Sequence, residues 1–165
     1  MLIRKEIPND VDLIGSVIDA AFETAPVASG TEAKIVERLR SAGALMLSLV
    51  AEQSGTIVGH IAVSATTIGT QGDWALIGPV AVLPAFQSQG IGSALMAEAL
   101  QRLRAAGLNG AALVGDPAYY GRFGFRAWPG LKFHGVPDEF VLALPFTDSV
   151  PNGELAHHEA FGLDP

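Results

Sequence analysis

Residues 77–92 read IGPVAVLPAFQSQGIG, and SALMAEALQRLRAAG follows to residue 107. The first half is an apolar run with the character of a buried strand. Pro79 inside it has no N–H for a ladder, so pairing is expected to be disturbed there. The second half places Gly90 and Gly92 two apart at the start of an amphipathic helix, with Leu95, Met96, Ala99 and Leu103 on one face and Gly107 as its stop. A glycine pair between a strand and a helix lets backbone come close to a bound anion, and the free N–H groups of the helix start point at it. A tight turn with one glycine at positive φ is the plainer alternative. Two phosphate motifs fail. No Lys-Ser or Lys-Thr follows the glycines, which excludes the P-loop. The dinucleotide fingerprint needs a small residue where Leu95 stands and an acidic residue about 20 positions on, and position 110 is glycine.

Upstream of this stretch the pattern is antiparallel. ALMLSLVAEQ (44–53) and TIVGHIAVSATTIG (56–69) flank a two-residue Ser54-Gly55 turn, and QGD (71–73) is read as the next turn, into WALIGPVAVLP. Turns this short cannot carry a crossover. LIRKEI (2–7) opens the chain as a strand. NDVDLIGSVIDAAF follows as a helix with Asn9 or Asp10 as N-cap, and SGTEAKIVERLRSAG (29–43) as a second, with Ser29 and Glu32 as a capping box. Downstream, LNGAALVG is a short buried strand reached by a parallel crossover. DPAYYGRFGF begins a short helix with Asp116 as N-cap and Pro117 in the first turn. FRAWPGLKFHGV and EFVLALPF are further strands, and the tail from Thr147 reads as a surface loop.

The chain has 165 residues, a hydrophobic fraction of 49% and a charged fraction of 16%, which describes one apolar-rich globular domain. It has no cysteine, so disulfides, thiol nucleophiles and Cys-based zinc sites are excluded. A net charge of -7 disfavours a nucleic-acid surface. His157 and His158 are adjacent and lack a third ligand pattern, so no metal site is expected. The first residues lack an export signal and no run is long enough for a membrane span, so a soluble cytoplasmic protein is expected.

Gln87-x-x-Gly90-x-Gly92 after PVAVLP resembles the acetyl-CoA loop of the GNAT superfamily of N-acetyltransferases, written [QR]-x-x-G-x-[GA]. GDPAYYGRFGFR resembles that superfamily's later segment, with Tyr120 four residues ahead of Gly124-Phe125, and the LVAEQSGTIVGHIAVS hairpin is similar to its second and third strands. The resemblance runs in order along residues 1–146 and is nearest to a small bacterial branch. It implies an α/β (α+β) fold: one domain over 1–146, with 147–165 as an extension packed on or crossing it. The sheet would be mixed and mostly antiparallel, of six or seven strands, with a V-shaped splay between the fourth and fifth, flanked by about four helices.

The resemblance also implies a reaction, direct transfer of acetyl from acetyl-CoA to a primary amine, with no metal. Val80 and Val82, with Ala81 between them, would hold the pantetheine arm. The amides of Ser88, Gln89, Gly90, Ile91, Gly92 and Ser93 would hold the pyrophosphate, with Gln87 at the loop entrance. Tyr120 matches the general acid for the leaving thiolate, with Tyr119 as its rival and Phe123 beside them in the coenzyme site. The strand before the loop carries no carboxylate after Asp73, where relatives often have a glutamate. The base is therefore open between Glu23, His60 and a water chain, and a lone strand histidine is more often structural. That missing carboxylate motivates an alternative, a non-catalytic acyl-CoA-binding or sensing protein. The implied partners are acetyl-CoA and an amine acceptor, with the chain a monomer or a homodimer and no nucleic acid or membrane involved.

Overall fold

The computed structural model describes residues 1–23 and 30–161. Ser29 of the expected capping box lies outside them. In chain order the elements are β1 (Leu2–Lys5), α1 (Val11–Glu23), α2 (Glu32–Ser41), β2 (Leu45–Gln53), β3 (Thr56–Ile68), β4 (Gln71–Val82), α3 (Ile91–Ala105), β5 (Gly110–Val114), α4 (Pro117–Tyr120), β6 (Arg126–Ala127), β7 (Leu131–Lys132), β8 (Val141–Pro145) and β9 (Gly153–Glu154). Seven strands form one sheet in the order β1-β2-β3-β4-β5-β8-β6. β1 runs antiparallel to β2, and β8 antiparallel to both β5 and β6. β4 and β5 form the parallel pair, over Trp74↔Gly110 to Leu76↔Ala112, while β4 itself continues to Val82. The expected α/β class, the mixed sheet and the four helices are all present. No helix among the described residues is long and apolar enough to cross a membrane.

The chain divides into two compact units: residues 1–63 with 79–99, and residues 64–78 with 100–165. β3, β4 and α3 each contribute residues to both. The core of the first unit joins Ile14, Val17, Ile18 and Ala21 of α1 and Val36 of α2 to Val50, Ile57, Ala62 and Ala81 of the strands. These helix positions recur at the three- and four-residue spacing of one face, which is why α1 packs rather than floats. The second unit has its own core, from Ile68, Trp74 and Leu76 to Leu131, Phe133, Val141 and Leu155.

Local chemistry sets most boundaries as read. Ser54 and Gly55 both take positive φ (52° and 79°), the two-residue turn that matches strand twist. Asp116 caps α4, its carboxylate accepting the Ala118 N–H at 2.9 Å.

Three readings change. The turn before β4 falls at Gly69 and Thr70, not at QGD. Gln71 is already in β4, and Asp73 sits within the strand at φ 59°. Asp10 does not cap α1 forward. Its carboxylate accepts the Ile7 N–H at 2.8 Å and two bonds from Arg4, at 2.7 and 3.1 Å, and Arg4 outweighs burial in holding it below its ordinary pKa. The stretch FRAWPGLKFHGV is two short strands separated by a turn, and the second, β7, pairs in parallel with β9 from the tail. Ile68 bridges Leu155, Thr66 Oγ1 donates to the Ala156 carbonyl at 2.6 Å, and Gly69 N–H donates to Glu154. The tail is thus fastened into the second unit and is not a loose surface loop.

Candidate active site

In the first unit β4 ends as Val80-Ala81-Val82, with Ala81 buried and the two valines half-buried. Gly78, just before Pro79, takes φ 144°, an irregularity where the proline removes a donor. Leu83 N–H still reaches the Val58 carbonyl at 2.9 Å, so the strand stays tied to β3 beyond the irregular point. A single 3-10 turn, Pro84–Phe86, then leads into the loop. Gln87 Nε2 donates to the Val82 carbonyl at 3.1 Å and Gln89 Nε2 to Ala85 at 3.4 Å. Both neutral side chains thereby help to hold the loop.

Gly90 takes φ 83°, and its carbonyl accepts the Ala94 N–H at 3.0 Å as the first bond of α3. The N–H groups of Ile91, Gly92 and Ser93 therefore have no partner inside the helix. Their free hydrogens and the helix macrodipole together favour an anion at this end. Ser88 also takes positive φ, 62°, although it carries a side chain.

Gly59 of β3 is a residue that sequence reasoning missed. A Cβ there would lie 3.0 Å from Ile91 Cγ2, 3.0 Å from Leu95 Cδ1 and 3.3 Å from the Ala81 carbonyl. The close helix-strand approach that a dinucleotide fold obtains with a small residue on the helix is made here by a glycine on the strand.

In the second unit α4 holds the tyrosines. Tyr119 and Tyr120 meet edge-on with centroids 4.9 Å apart, and Tyr120 also meets Phe125 edge-on at 6.3 Å. Tyr119 and Phe123 lie 5.9 Å apart. Tyr120 is half-buried. Burial, with Tyr119 beside it, pushes its phenol above the ordinary value, so it stays protonated near neutral pH. Gly115 fixes where that ring lies, because a Cβ at 115 would fall 2.4 Å from Tyr120 Cε2 and 2.7 Å from Cδ2. No sequence pattern flags this, since the contact spans five residues and leaves β5 for α4.

The two base candidates differ sharply. Glu23 is exposed at the end of α1. His60 is fully buried and closes a chain that links β3, β2, the residue after β1 and α2. Arg40 of α2 donates twice to Glu6, at 2.8 and 2.9 Å, Ser48 donates to Glu6, and His60 Nε2 lies 2.8 Å from Ser48 Oγ. Because the Ser48 hydrogen goes to Glu6, Nε2 is the donor to Ser48, and Nδ1 carries the lone pair. Burial lowers the His60 pKa to about 4, with Glu6 working against that shift and Arg40 with it. Burial acts to raise Glu6, but the bonds from Arg40 and Ser48 outweigh it and hold the carboxyl below its ordinary value. No group of three or more potential metal ligands occurs among the described residues.

The model of the acetyltransferase (GNAT) family matches residues 16–125. The uncharacterized N-acetyltransferase YhbS of Escherichia coli is 37% identical over 176 residues, covering 98% of each chain. A crystal structure of a GNAT family acetyltransferase from Brucella melitensis, in complex with acetyl-CoA, is 44% identical, with a TM-score of 0.86 and 97% of each chain covered. The structure of YhbS from Escherichia coli in complex with CoA is 31% identical, with a TM-score of 0.89, covering 98% of this chain and 92% of that one. A family model spanning most of the chain and near full-length relatives agree with the fold, and the chain belongs to the GNAT family of acetyltransferases.

Proposed function

We propose that this protein moves the acetyl group of acetyl-CoA directly to a primary amine of a small molecule or peptide in the cytoplasm. The observation that carries the reading is the first turn of α3. After Gly90 three backbone N–H groups have no helical partner, in a loop with the family's glycine spacing. The Brucella melitensis relative was solved with acetyl-CoA, which supports the same coenzyme here. The amides of residues 88–93 take the pyrophosphate, and the backbone of Val80 and Val82, flanking Ala81, takes the pantetheine arm.

With no cysteine in the chain, transfer proceeds without a thioester on the enzyme. The neutral amine attacks the thioester carbonyl, the carbon-sulfur bond breaks, the phenol of Tyr120 gives its proton to the departing thiolate, and the second proton leaving the new amide nitrogen restores the phenol. Most of the acceleration comes from holding the two reactants together. The acceptor arrives as an ammonium and must first lose a proton. The exposure of Glu23 supports it or solvent as the recipient, whereas the burial and low pKa of His60 suit a structural donor to Ser48.

Thiol release from acetyl-CoA across a panel of primary amines tests the reaction. Turnover on at least one amine is expected. Tight acetyl-CoA binding without turnover on any would favour the acyl-CoA sensor instead. Tyr120→Phe is expected to lower kcat about a hundredfold, the low end for a lost proton donor, and to leave acetyl-CoA affinity within about twofold. Full activity in Tyr120→Phe together with loss in Tyr119→Phe would move the acid to Tyr119. Gly115→Ala leaves the phenol in place chemically but displaces its ring, and kcat should fall by up to about a hundredfold. An unchanged kcat in Gly115→Ala would show that the ring position does not matter.

A further inference from the structure

The ring of Tyr120 is seated between walls of unequal strength. Gly115 lies directly against it, so close that a Cβ there would fall 2.4 Å from Cε2. Phe125 meets it edge-on at 6.3 Å and is itself only 2% exposed, fixed in the core. The third wall is Tyr119, edge-on at 4.9 Å, and that ring is 37% exposed. It stands on a helix of only four residues. An exposed side chain in such a place changes rotamer within picoseconds to nanoseconds unless something holds it.

Arg122 is placed to hold it. The residue follows in the 3-10 turn Gly121–Phe123. Its Nε donates to the Tyr119 carbonyl at 2.9 Å, and its guanidinium carbon lies 4.3 Å from the centroid of the Tyr119 ring. The hydrogen bond fixes the guanidinium, and cation-π attraction lays it against the face of the ring. Phe123 meets the same ring edge-on at 5.9 Å. No carboxylate among the described residues pairs with Arg122, whereas Arg4 and Arg40 are each committed to carboxylates. No competing ion pair among them draws this guanidinium off the ring. All of these residues belong to the second unit.

We propose that Arg122 is a positioning residue for acetyl transfer: by clamping the Tyr119 ring it holds the Tyr120 phenol in the orientation from which it gives up its proton. The inference rests on Tyr120 being the acid. It gives the two adjacent tyrosines different tasks, one the proton donor and the other its wall.

The test compares steady-state kinetics of the wild type, Arg122→Ala, Arg122→Lys, Tyr120→Phe and the double variant Tyr120→Phe/Arg122→Ala, on the amine that turns over fastest in the panel. Arg122→Ala should lower kcat about tenfold, a part of the hundredfold expected for loss of the acid, with KM for acetyl-CoA within about twofold. A lysine can lie over the ring or reach the carbonyl but not do both, so Arg122→Lys should lose about threefold. In the Tyr120→Phe background Arg122→Ala should change kcat by no more than about twofold, because no phenol is left to orient. Equal losses in the two backgrounds would show that Arg122 does not act through the acid and would overturn the proposal. So would an unchanged kcat in Arg122→Ala beside a reduced one in Tyr120→Phe, which would leave the acid assignment standing. Full activity in Tyr120→Phe, or no turnover by the wild type on any amine, would overturn that assignment and this proposal together. A second readout needs no turnover. Tyr119 and Tyr120 are the only tyrosines in the chain, so the ring resonances of protein labelled at tyrosine report this pair alone. In Arg122→Ala they should move toward the positions of free tyrosine, while the thermal midpoint stays within about 2 °C of wild type, as for an exposed substitution. Ring resonances unchanged in Arg122→Ala would overturn the clamp.

Discussion

Gly90→Val abolishes useful acetyl-CoA binding, with an expected rise in Kd of a hundredfold or more, while the protein stays folded. Gly90 holds φ 83°, a region closed to a β-branched residue without strain. A Cβ there would meet nothing within 4 Å, so the substitution breaks no packing and its cost is conformational, about 1–2 kcal/mol. The chain relieves that strain by returning residue 90 to negative φ, which turns the Ile91 and Gly92 amides away from their common direction. An anion held by several such amides then loses most of its contacts at once, and each charge-assisted bond is worth about 1.5–3 kcal/mol. Calorimetry with acetyl-CoA gives the affinity and a thermal scan the fold, with a drop in midpoint of only a few degrees expected. Retention of wild-type affinity would remove the loop from the coenzyme site.

The second large effect is on stability in acid. Folded His60 titrates at about 4 and the same side chain in the unfolded chain near 6.5. As pH falls from 6.5 to 4, the unfolded state takes up a proton that the folded state refuses. Stability is therefore fully present above 6.5 and lost across that window, by about 3 kcal/mol at about 1.4 kcal/mol per pKa unit. The groups facing the ring include the Glu6 carboxylate after β1 and the Arg40 guanidinium of α2, both acting through space, with neutral Ser48 between. Glu6 and Asp10, both held below their ordinary values, add further loss in the same direction once pH falls below about 4.5. Urea midpoints at pH 7, 6, 5 and 4.5 read the effect. His60→Gln lowers stability at pH 7 but should flatten the slope between 6.5 and 4.5. Parallel curves for the two proteins would mean that His60 does not carry the acid sensitivity.

Much of this architecture is legible in the sequence because its signals are local. Ser54-Gly55 needs only its own backbone angles to form a hairpin, Asp116 finds the Ala118 amide two residues away, and the α3 face repeats within one helix. The QGD misreading has the same origin. Turn-forming residues were present, but Gly69 and Thr70 already supplied the turn, and Asp73 kept positive φ inside the strand. What the sequence does not display are relations between distant segments. Gly59 meets α3 more than 30 residues on, the chain from Arg40 through Glu6 and Ser48 to His60 draws on three elements and the residue after β1, and β7 finds β9 about 20 residues later. Of the proposed site, the glycine loop and the tyrosine pair were visible as motifs. The glycine that seats Tyr120 was not.

The fastening of the tail orders events during synthesis. Every residue of the first unit lies at or before 99, so its core can close while the ribosome is still translating the second half. The second unit cannot finish then. Leu155 belongs to its core and β7 has its partner only at residues 153 and 154. Until those codons are read, Ile68, Leu131 and Phe133 lack part of their cover, and the nascent chain carries an apolar surface that a premature stop after residue 150 would leave permanently exposed. A frameshift just after residue 145 should therefore send this protein to the proteases, although it spares both the glycine loop and the tyrosine pair.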